Sequence, residues 1–470
     1  ITQDLMQVDR HNCTPLLDFG TRGFSPAAAF RSAIRRSPDS ARDSRPRIRG
    51  TLALSLLVML SAGLSEAQTD QWLETVRGIH PYAAVSVATD SNLLRNPDFL
   101  DDDSDQYVTL EAGFDTELRL SRQRFLIDGR IYRTNYDRFS EFDHTGGDAR
   151  LLWNWVAGSL WEGTLGYSYD RTLRDFTTEL IPTNDMRNRN KVFGSANRWL
   201  TPRWRMGAQV DWSDISFTEN DFLNKQVFGL GANVDYVSKA SNSVGFKVAA
   251  SSSEFTNRDN RDYDDFALGP TADWKVTGKT RIKADLGYET RRYDDLTEKD
   301  FDGFVGRVRA IWQATGKTRV EAQVYRDLSN FEDEIADYAI VDGVSLAPQW
   351  NITPKTSLRA LASYERRDFQ DAASTISVLS DRVDRVGTLG LSLGWQPLRN
   401  IALSLDFEAG SRDSNRAIRD YDYRSLQAGI KVGLLRIIQA SETGHELKRL
   451  QPALPAEPAV RAGRYCIRDG

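Results

Sequence analysis

The fold is decided by a stretch that joins one tight turn to one alternating run, TGKTRIKADLGYE, residues 277–289. Successive side chains on a β-strand point to opposite faces, so the run predicts a strand with two different faces. One face carries Ile282, Ala284, Leu286 and Tyr288, and the other carries charged side chains. The apolar face needs an apolar neighbour, which is either a second protein layer or lipid.

This turn-and-strand unit is repeated along the chain. Equivalent turns begin at Thr277, Thr315 and Thr353, which are 38 residues apart, and each cycle holds two strands, one short turn and one long loop. The pattern runs from about residue 80 to residue 434 without a linker. Such a period predicts one repetitive architecture instead of separate domains.

The asymmetry between turns and loops predicts an all-β fold, an antiparallel transmembrane β-barrel of about 18 strands (16–18) with short periplasmic turns and long extracellular loops. Tyrosines lie toward the loops, and tryptophans lie beside the short turns, at Trp161, Trp204, Trp274, Trp312, Trp350 and Trp395. Two aromatic bands at opposite strand ends are typical of the two interfaces of a bilayer. A soluble β-propeller has a similar repeat length, but its blades pack four short strands into it, whereas two strands of about eleven residues fit here.

Composition and the reactive residues narrow the function further. With 27% charged residues and a net charge of −5, the chain has the composition neither of a helical membrane protein nor of a nucleic-acid-binding protein. Two cysteines and four histidines form no ligand spacing, so neither a metal nor another cofactor is expected. The acidic run 101–105 lacks the glycine and the glutamate that an EF-hand needs, and is interpreted as a solvated loop.

Both ends of the chain are expected to lie outside the barrel. Residues 1–45 are polar and arginine-rich and are interpreted as a disordered extension or an over-extended start. Residues 46–67 have the basic, apolar and small-residue regions of a secretory signal peptide. Residues 68–79 would form a short periplasmic segment, residues 80–434 the barrel, and the Pro/Ala/Arg-rich residues 435–470 a disordered tail.

The polar face of the strands is predicted to line a lumen. A barrel of this size leaves room for an aqueous channel, so charged residues on its inner face can be solvated and paired. None of them is expected to be a catalytic or cofactor-binding residue. The candidate lumen-lining residues are Arg205, Asp211, Lys247, Arg281, Lys283, Asp285, Arg307, Arg309, Glu321, Arg359, Glu365, Asp406 and Glu408.

Several segments resemble a known family. The barrel region opens with PYAAVSVATDSNLLR, residues 81–95, and later contains NYDRF at 135–139, WNW at 153–155 and GTLGY at 163–167. Together with the Thr-Gly-Lys-Thr turns, these segments are similar to the EpsL-type outer-membrane proteins associated with exosortase and exopolysaccharide biosynthesis, within a β-barrel porin group. The resemblance covers roughly residues 75–434, and its most specific part is DSNLLR.

The resemblance implies an outer-membrane protein of a Gram-negative bacterium that takes part in exopolysaccharide biosynthesis or export. The main hypothesis is therefore a channel or conduit with a polar lumen. Its partners would be outer-membrane lipid, a polysaccharide or other polar solute, and periplasmic polysaccharide-export components, with no nucleic acid. The alternative is a general porin for small solutes. An outer-membrane enzyme is disfavoured because the chain lacks G-x-S-x-G and His144 is its only histidine in a long loop.

Overall fold

The computed structural model describes residues 78–433, except 101–102, 179–181, 259–260, 331–335 and 372–381. Most of the described chain forms one antiparallel sheet of 18 strands. Each strand pairs with the next along the chain, and the first pairs with both the second and the last, so the sheet closes into a barrel. The strands are β1 His80–Asp90, β2 Asp105–Leu120, β3 Gln123–Tyr136, β4 His144–Ala157, β5 Trp161–Leu173, β6 Met186–Trp199, β7 Trp204–Phe217, β8 Lys225–Val237, β9 Ser243–Phe255, β10 Tyr263–Lys275, β11 Thr280–Tyr293, β12 Phe301–Trp312, β13 Thr318–Ser329, β14 Ala336–Thr353, β15 Thr356–Asp371, β16 Val383–Leu398, β17 Ile401–Ser414 and β18 Tyr421–Gly433.

The predicted all-β barrel and its strand number are confirmed, but the predicted strand length is wrong. The strands have between 11 residues, in β1, and 18 residues, in β14, whereas about nine to eleven tilted residues cross a bilayer. The sheet therefore extends past the hydrocarbon layer, and several loops are shorter than the sequence suggested. The predicted extension, signal peptide and tail lie outside the described residues, as does nearly all of the periplasmic segment.

One face of the sheet is apolar and exposed. Leu389, Leu391 and Leu393 follow one another on this face of β16, and all three are exposed. The tryptophans that the sequence placed beside the short turns are exposed on the same face, as Trp204 and Trp395 illustrate. Exposure of such a continuous apolar surface to water is unfavourable, so this is the surface of the barrel that faces lipid. Within the described residues, no helix is long and apolar enough to cross a membrane.

The short turns on one rim are tied to one another. In the turn after β12, the Thr315 hydroxyl oxygen accepts hydrogen bonds from the backbone nitrogens of Lys317, at 3.1 Å, and Thr318, at 3.0 Å. The Lys317 ammonium then donates to the carbonyl oxygen of Ile352 at the end of β14, 3.0 Å away. The turn at Thr277 makes the same threonine bonds. Lys279 and Lys355 make corresponding bonds to the carbonyl oxygens of Ala314 and Pro397, so the lysine of each of these three turns contacts the next turn along the rim.

Replacing Thr315 with valine should loosen this rim. Thr315→Val removes the acceptor of two backbone hydrogen bonds, so we expect a loss of about 1–2 kcal/mol in the free energy of unfolding. The measurement is the urea concentration at which the compact band on unboiled detergent gels disappears. Thr318→Val is the matched control, because it keeps the acceptor at Thr315 and should leave the midpoint unchanged. Equal midpoints for both variants would contradict the role of the threonine.

Candidate functional site

One contact shows which face of the sheet points inward. Arg412 on β17 donates from Nη1 to the carbonyl oxygen of Thr177, 2.8 Å away, in the loop between β5 and β6. These elements are far apart in the strand order, so this face of β17 must look across the barrel. Side chains alternate and the cross-strand register is continuous, so the same face can be followed around the sheet. We call this face the interior wall.

The candidate residues all lie on the interior wall by register. Most of them form ion pairs with a neighbour on the wall. The pairs are Lys247–Asp285 at 2.5 Å, Arg205–Asp235 at 2.7 Å, Glu365–Arg367 at 2.7 Å, Asp211–Lys191 at 3.1 Å, Arg309–Glu321 at 3.1 Å, Arg281–Asp273 and Arg307–Asp327.

The remaining candidates complete the wall. The carboxylate of Glu408 accepts a hydrogen bond of 2.5 Å from the hydroxyl of Tyr423. Lys283 and Arg359 also interact with neighbouring groups, and Asp406 lies between β16 and β18 in register. That these residues line a conducting passage stays a prediction.

Sequence reasoning missed the partners that neutralise these charges. Four of these partners lie on the same wall, and each pairs with a candidate residue on the adjacent strand. They are Lys191, Asp235, Asp273 and Asp327. Their place on the polar face was visible from the alternation of each strand. Their pairing was not visible, because it depends on the register between strands.

A second repeated feature of the wall is a tyrosine ring that lies flat against a glycine. In each case the tyrosine and the glycine are direct cross-strand partners, and a Cβ on the glycine would come within 2.3 to 2.7 Å of the ring. Glycine is needed here because only a bare backbone lets the ring lie along the wall. The pairs are Tyr82–Gly113, Tyr132–Gly146, Tyr325–Gly343 and Tyr423–Gly410.

Cations of the chain itself lie over all four of these rings, the most distant being the guanidinium carbon of Arg130, 5.6 Å from the ring centroid of Tyr132. Lys431 Nζ lies 3.3 Å from the ring centroid of Tyr82, and the guanidinium carbon of Arg307 lies 4.7 Å from that of Tyr325. The guanidinium of Arg95 lies over Tyr423 in the same way, at 3.7 Å. Each ring thus lies between a glycine on one side and a cation on the other, so both of its faces are in contact with the protein itself.

At the loop end, the wall is built from arginines that stack on aromatic rings and pair with aspartates. Arg291 pairs with Asp265 at 2.6 Å and lies 3.9 Å from the ring centroid of Tyr263, and all three side chains are buried. Buried charges are tolerated only when such partners surround them. The similar units are Arg382 with Asp384 and Phe369, Arg412 with Asp384 and Tyr421, and Arg95 with Asp90 and Tyr423.

The DSNLLR segment closes the seam where β1 meets β18. Arg95 has a left-handed backbone, with φ of 58°, and pairs with Asp90 at 2.9 Å. Burial by itself lowers the pKa of Arg95, but the Asp90 carboxylate outweighs burial and raises that pKa above its ordinary value. The side-chain nitrogen of Asn92 donates to the carbonyl oxygen of Asp422, 3.1 Å away. The segment is therefore a charged latch across the seam.

The prediction of a solvated acidic loop is wrong for Asp105. This side chain is buried, and its carboxylate accepts hydrogen bonds from the backbone nitrogens of Gln106, Arg138 and Phe139, at 2.7, 3.0 and 3.1 Å. It joins the loop after β3 to the start of β2. Residues 101–102 are outside the described part, in which no group of three or more histidine, cysteine or acidic side chains is placed to hold a metal ion.

A protein family and several solved structures are similar to a large part of this chain. Residues 209–434 match the model of the family described as "Putative beta-barrel porin 2". Among solved structures, Pseudomonas aeruginosa OpdK with vanillate has 10% identity and a TM-score of 0.42, covering 77% of this chain and 99% of that chain. Pseudomonas aeruginosa OccK2 (OpdF) in complex with glucuronate and a BenF-like porin from Pseudomonas fluorescens Pf-5 each have 10% identity and a TM-score of 0.44, covering 77% of this chain and 100% of theirs. No curated protein has a significantly similar sequence.

The family match and the closed barrel of 18 strands agree on a porin-like β-barrel of the outer-membrane type. Neither the family match nor the fold shows an association with exosortase or with exopolysaccharide biosynthesis. That finer part of the sequence hypothesis remains a hypothesis.

The tyrosine–glycine pairs can be tested with one added methyl group. In Gly343→Ala the new Cβ would lie 2.3 Å from the Tyr325 ring, whose hydroxyl is held by Glu365 at 2.5 Å. We expect a loss of about 1–3 kcal/mol in the free energy of unfolding, because the ring has to leave the wall. The midpoint of urea unfolding on unboiled gels measures this loss.

Two further variants make the interpretation of Gly343→Ala unambiguous. Gly387→Ala adds the same methyl group where the nearest atom is 3.6 Å away, so it should leave the midpoint unchanged. Adding Tyr325→Ala to Gly343→Ala removes the clash, so the alanine at 343 should cost less in that background. If Gly343→Ala and Gly387→Ala lower the midpoint equally, the close packing against the ring is unimportant.

Proposed function

We propose that the protein is an outer-membrane channel through which small polar solutes diffuse. The observation that supports this most is the ladder of ion pairs on the interior wall, of which Lys247–Asp285 and Arg205–Asp235 are examples. A closed barrel of 18 strands is wide enough to hold water. Paired charges make its wall wettable without a strong net sign, which suits hydroxylated or charged solutes.

The loop end supplies a size limit for this passage. The loop after β5 reaches the opposite wall through the hydrogen bond from Arg412 to Thr177. Phe176 of the same loop packs against Phe142, with ring centroids 4.8 Å apart. A chain segment held inside the barrel narrows the route, which favours small solutes over a long polymer.

The second candidate function is a conduit for exopolysaccharide, working with periplasmic export components. It is supported by the resemblance of the sequence to EpsL-type proteins. Two observations weaken the support. The DSNLLR segment already has a task as a latch at the seam. The rings of Tyr82, Tyr325 and Tyr423 are already occupied by glycine and a cation, so they are not available to stack on sugars.

An enzymatic function has little support in the described part of the chain. The ring nitrogen Nδ1 of His144 lies 2.9 Å from the carbonyl oxygen of Phe142, so this imidazole is oriented by the backbone. A hydrolase would need the histidine beside a nucleophile. The channel proposal needs no such group.

Ion selectivity tests whether the interior wall lines the passage. Lys247→Gln leaves the carboxylate of Asp285 without its cation, so the ratio of cation to anion permeability should rise by roughly twofold. Asp285→Asn should move the ratio in the opposite direction. The measurement is the reversal potential of the purified full chain in a planar bilayer under a KCl gradient.

The control for this experiment is Arg385→Gln, which changes a charge on the outer face at the loop end and should leave the reversal potential unchanged.

Long dextran added on one side separates the two functions, since a conduit would show transient current blocks and a small-solute channel would not. A folded barrel without conductance, or the same shift in all three variants, would refute the proposed channel.

A further inference from the structure

The outer face of the barrel carries a belt of arginine–aspartate pairs at its loop end. In each pair the arginine is on the lipid-facing side by register, as is its aspartate except for Asp143, which lies just before β4. The arginine side chains are 47% to 58% exposed. We call this set the Arg–Asp belt. Its pairs are Arg133–Asp143 at 3.4 Å, Arg292–Asp302 at 2.7 Å, Arg326–Asp342 at 2.9 Å, Arg366–Asp368 at 3.2 Å and Arg385–Asp413 at 3.2 Å.

The belt begins where the apolar surface ends. On β3, the outward residue before Arg133 is Ile131, which is 59% exposed. On β13, the outward residue before Arg326 is Val324, which is 60% exposed. Hydrocarbon would penalise ion pairs on a lipid-facing surface, so the belt must lie at the level of the lipid headgroups.

The opposite rim of the barrel has a different chemistry. Its outward boundary carries exposed tryptophans, such as Trp204, Trp274 and Trp312, which are amphipathic and uncharged. The two rims are therefore adapted to different headgroups. Guanidinium groups recognise phosphate through paired hydrogen bonds, and carboxylates bind divalent cations that bridge phosphates. A belt with both groups fits a headgroup that carries several phosphates.

A depression on this surface offers a specific place for such a headgroup. It has a volume of about 750 Å³ and lies on the outward side of β3, β4 and β5. Arg133 and Arg171 line it together with Tyr169, Ile131 and the bare backbone of Gly147. The acidic residues that line it are Asp143, Asp148 and Glu219. Arg130 lines it as well, but by register the side chains of Arg130 and Asp148 point to the interior wall. The depression thus combines two cations with an apolar floor next to the lipid-facing surface.

We propose that this depression binds a phosphorylated saccharide lipid of the outer leaflet. Arg133 and Arg171 would hold its phosphates, the acyl chains would lie along Ile131 and the apolar surface below it, and the Arg–Asp belt would contact neighbouring lipids. Arg171 is oriented for this by a hydrogen bond of 2.9 Å from its Nη1 to the side-chain oxygen of Asn188. This inference rests on the outer-membrane location in the proposed function, but not on what the lumen conducts.

Lipid binding to the purified full chain tests the proposal. The probe is lipid A, a glucosamine disaccharide lipid with two phosphates, added to detergent micelles with Mg²⁺ and counted per barrel by native mass spectrometry. The comparison probes are the same lipid without phosphates, phosphatidylglycerol and inorganic phosphate. We expect the Arg133→Gln/Arg171→Gln double variant to weaken lipid A binding by about tenfold or more.

The matched control is Arg198→Gln, an exposed outward arginine at the tryptophan rim that lies 5.4 Å from the ring centroid of Trp161. It should bind lipid A as the unchanged protein does. Equal binding of the lipid without phosphates, equal binding of phosphatidylglycerol, or an equal loss in Arg198→Gln would overturn the proposal. Binding of inorganic phosphate alone would overturn the lipid as occupant. Conductance in bilayers of phosphatidylcholine, which lack the glycolipid, tests the channel separately.

Discussion

Closure of the backbone hydrogen-bond ladder is the constraint on which the rest of this structure depends. Lipid offers no partner for a free N–H or C=O group, so a sheet can cross a membrane only if it has no edge. Here β1 completes the ring by pairing with both β2 and β18, in a register that runs from Tyr82 opposite Gly433 to Asp90 opposite Ser425. At the loop end of that seam, Asn92 hydrogen-bonds to Asp422 and Arg95, paired with Asp90, stacks on Tyr423 of β18.

Closure gives every strand an outer face and an inner face, which lie in environments of opposite polarity. The outside must match hydrocarbon, so it is apolar, while the inside can hold charges because water and opposite charges surround them. Surface-type ion pairs add little stability each, and their main consequence is electrical, since pairs such as Lys247–Asp285 neutralise the wall. The tyrosine–glycine pairs have a geometric consequence, because a ring such as that of Tyr325 follows the wall instead of crossing the lumen.

The two ends of the barrel have different physical tasks. At the turn end, threonine and lysine side chains link short hairpin turns, as Lys317 does with Ile352, and uncharged tryptophans meet the lipid. At the loop end, buried arginine–aspartate–aromatic units such as Arg291, Asp265 and Tyr263 hold the loops. The charged side chains at that end lie both inside, where Arg412 contacts the loop after β5, and outside, where the Arg–Asp belt follows the apolar surface.

Local sequence determined the strands, their two faces and the turns, because a period of two and a Thr-Gly-Lys-Thr turn are properties of a few consecutive residues. It therefore assigned Lys247 and Asp285 to the polar face of their strands and predicted a closed barrel of the right strand number. Tertiary structure alone decided which charges pair, since Lys247 and Asp285 are 38 residues apart. It also buried Asp105, lengthened the strands and brought Arg412 to Thr177, 235 residues away. Register and loop packing are set by contacts between distant segments, and the alternation within one strand carries no information about them.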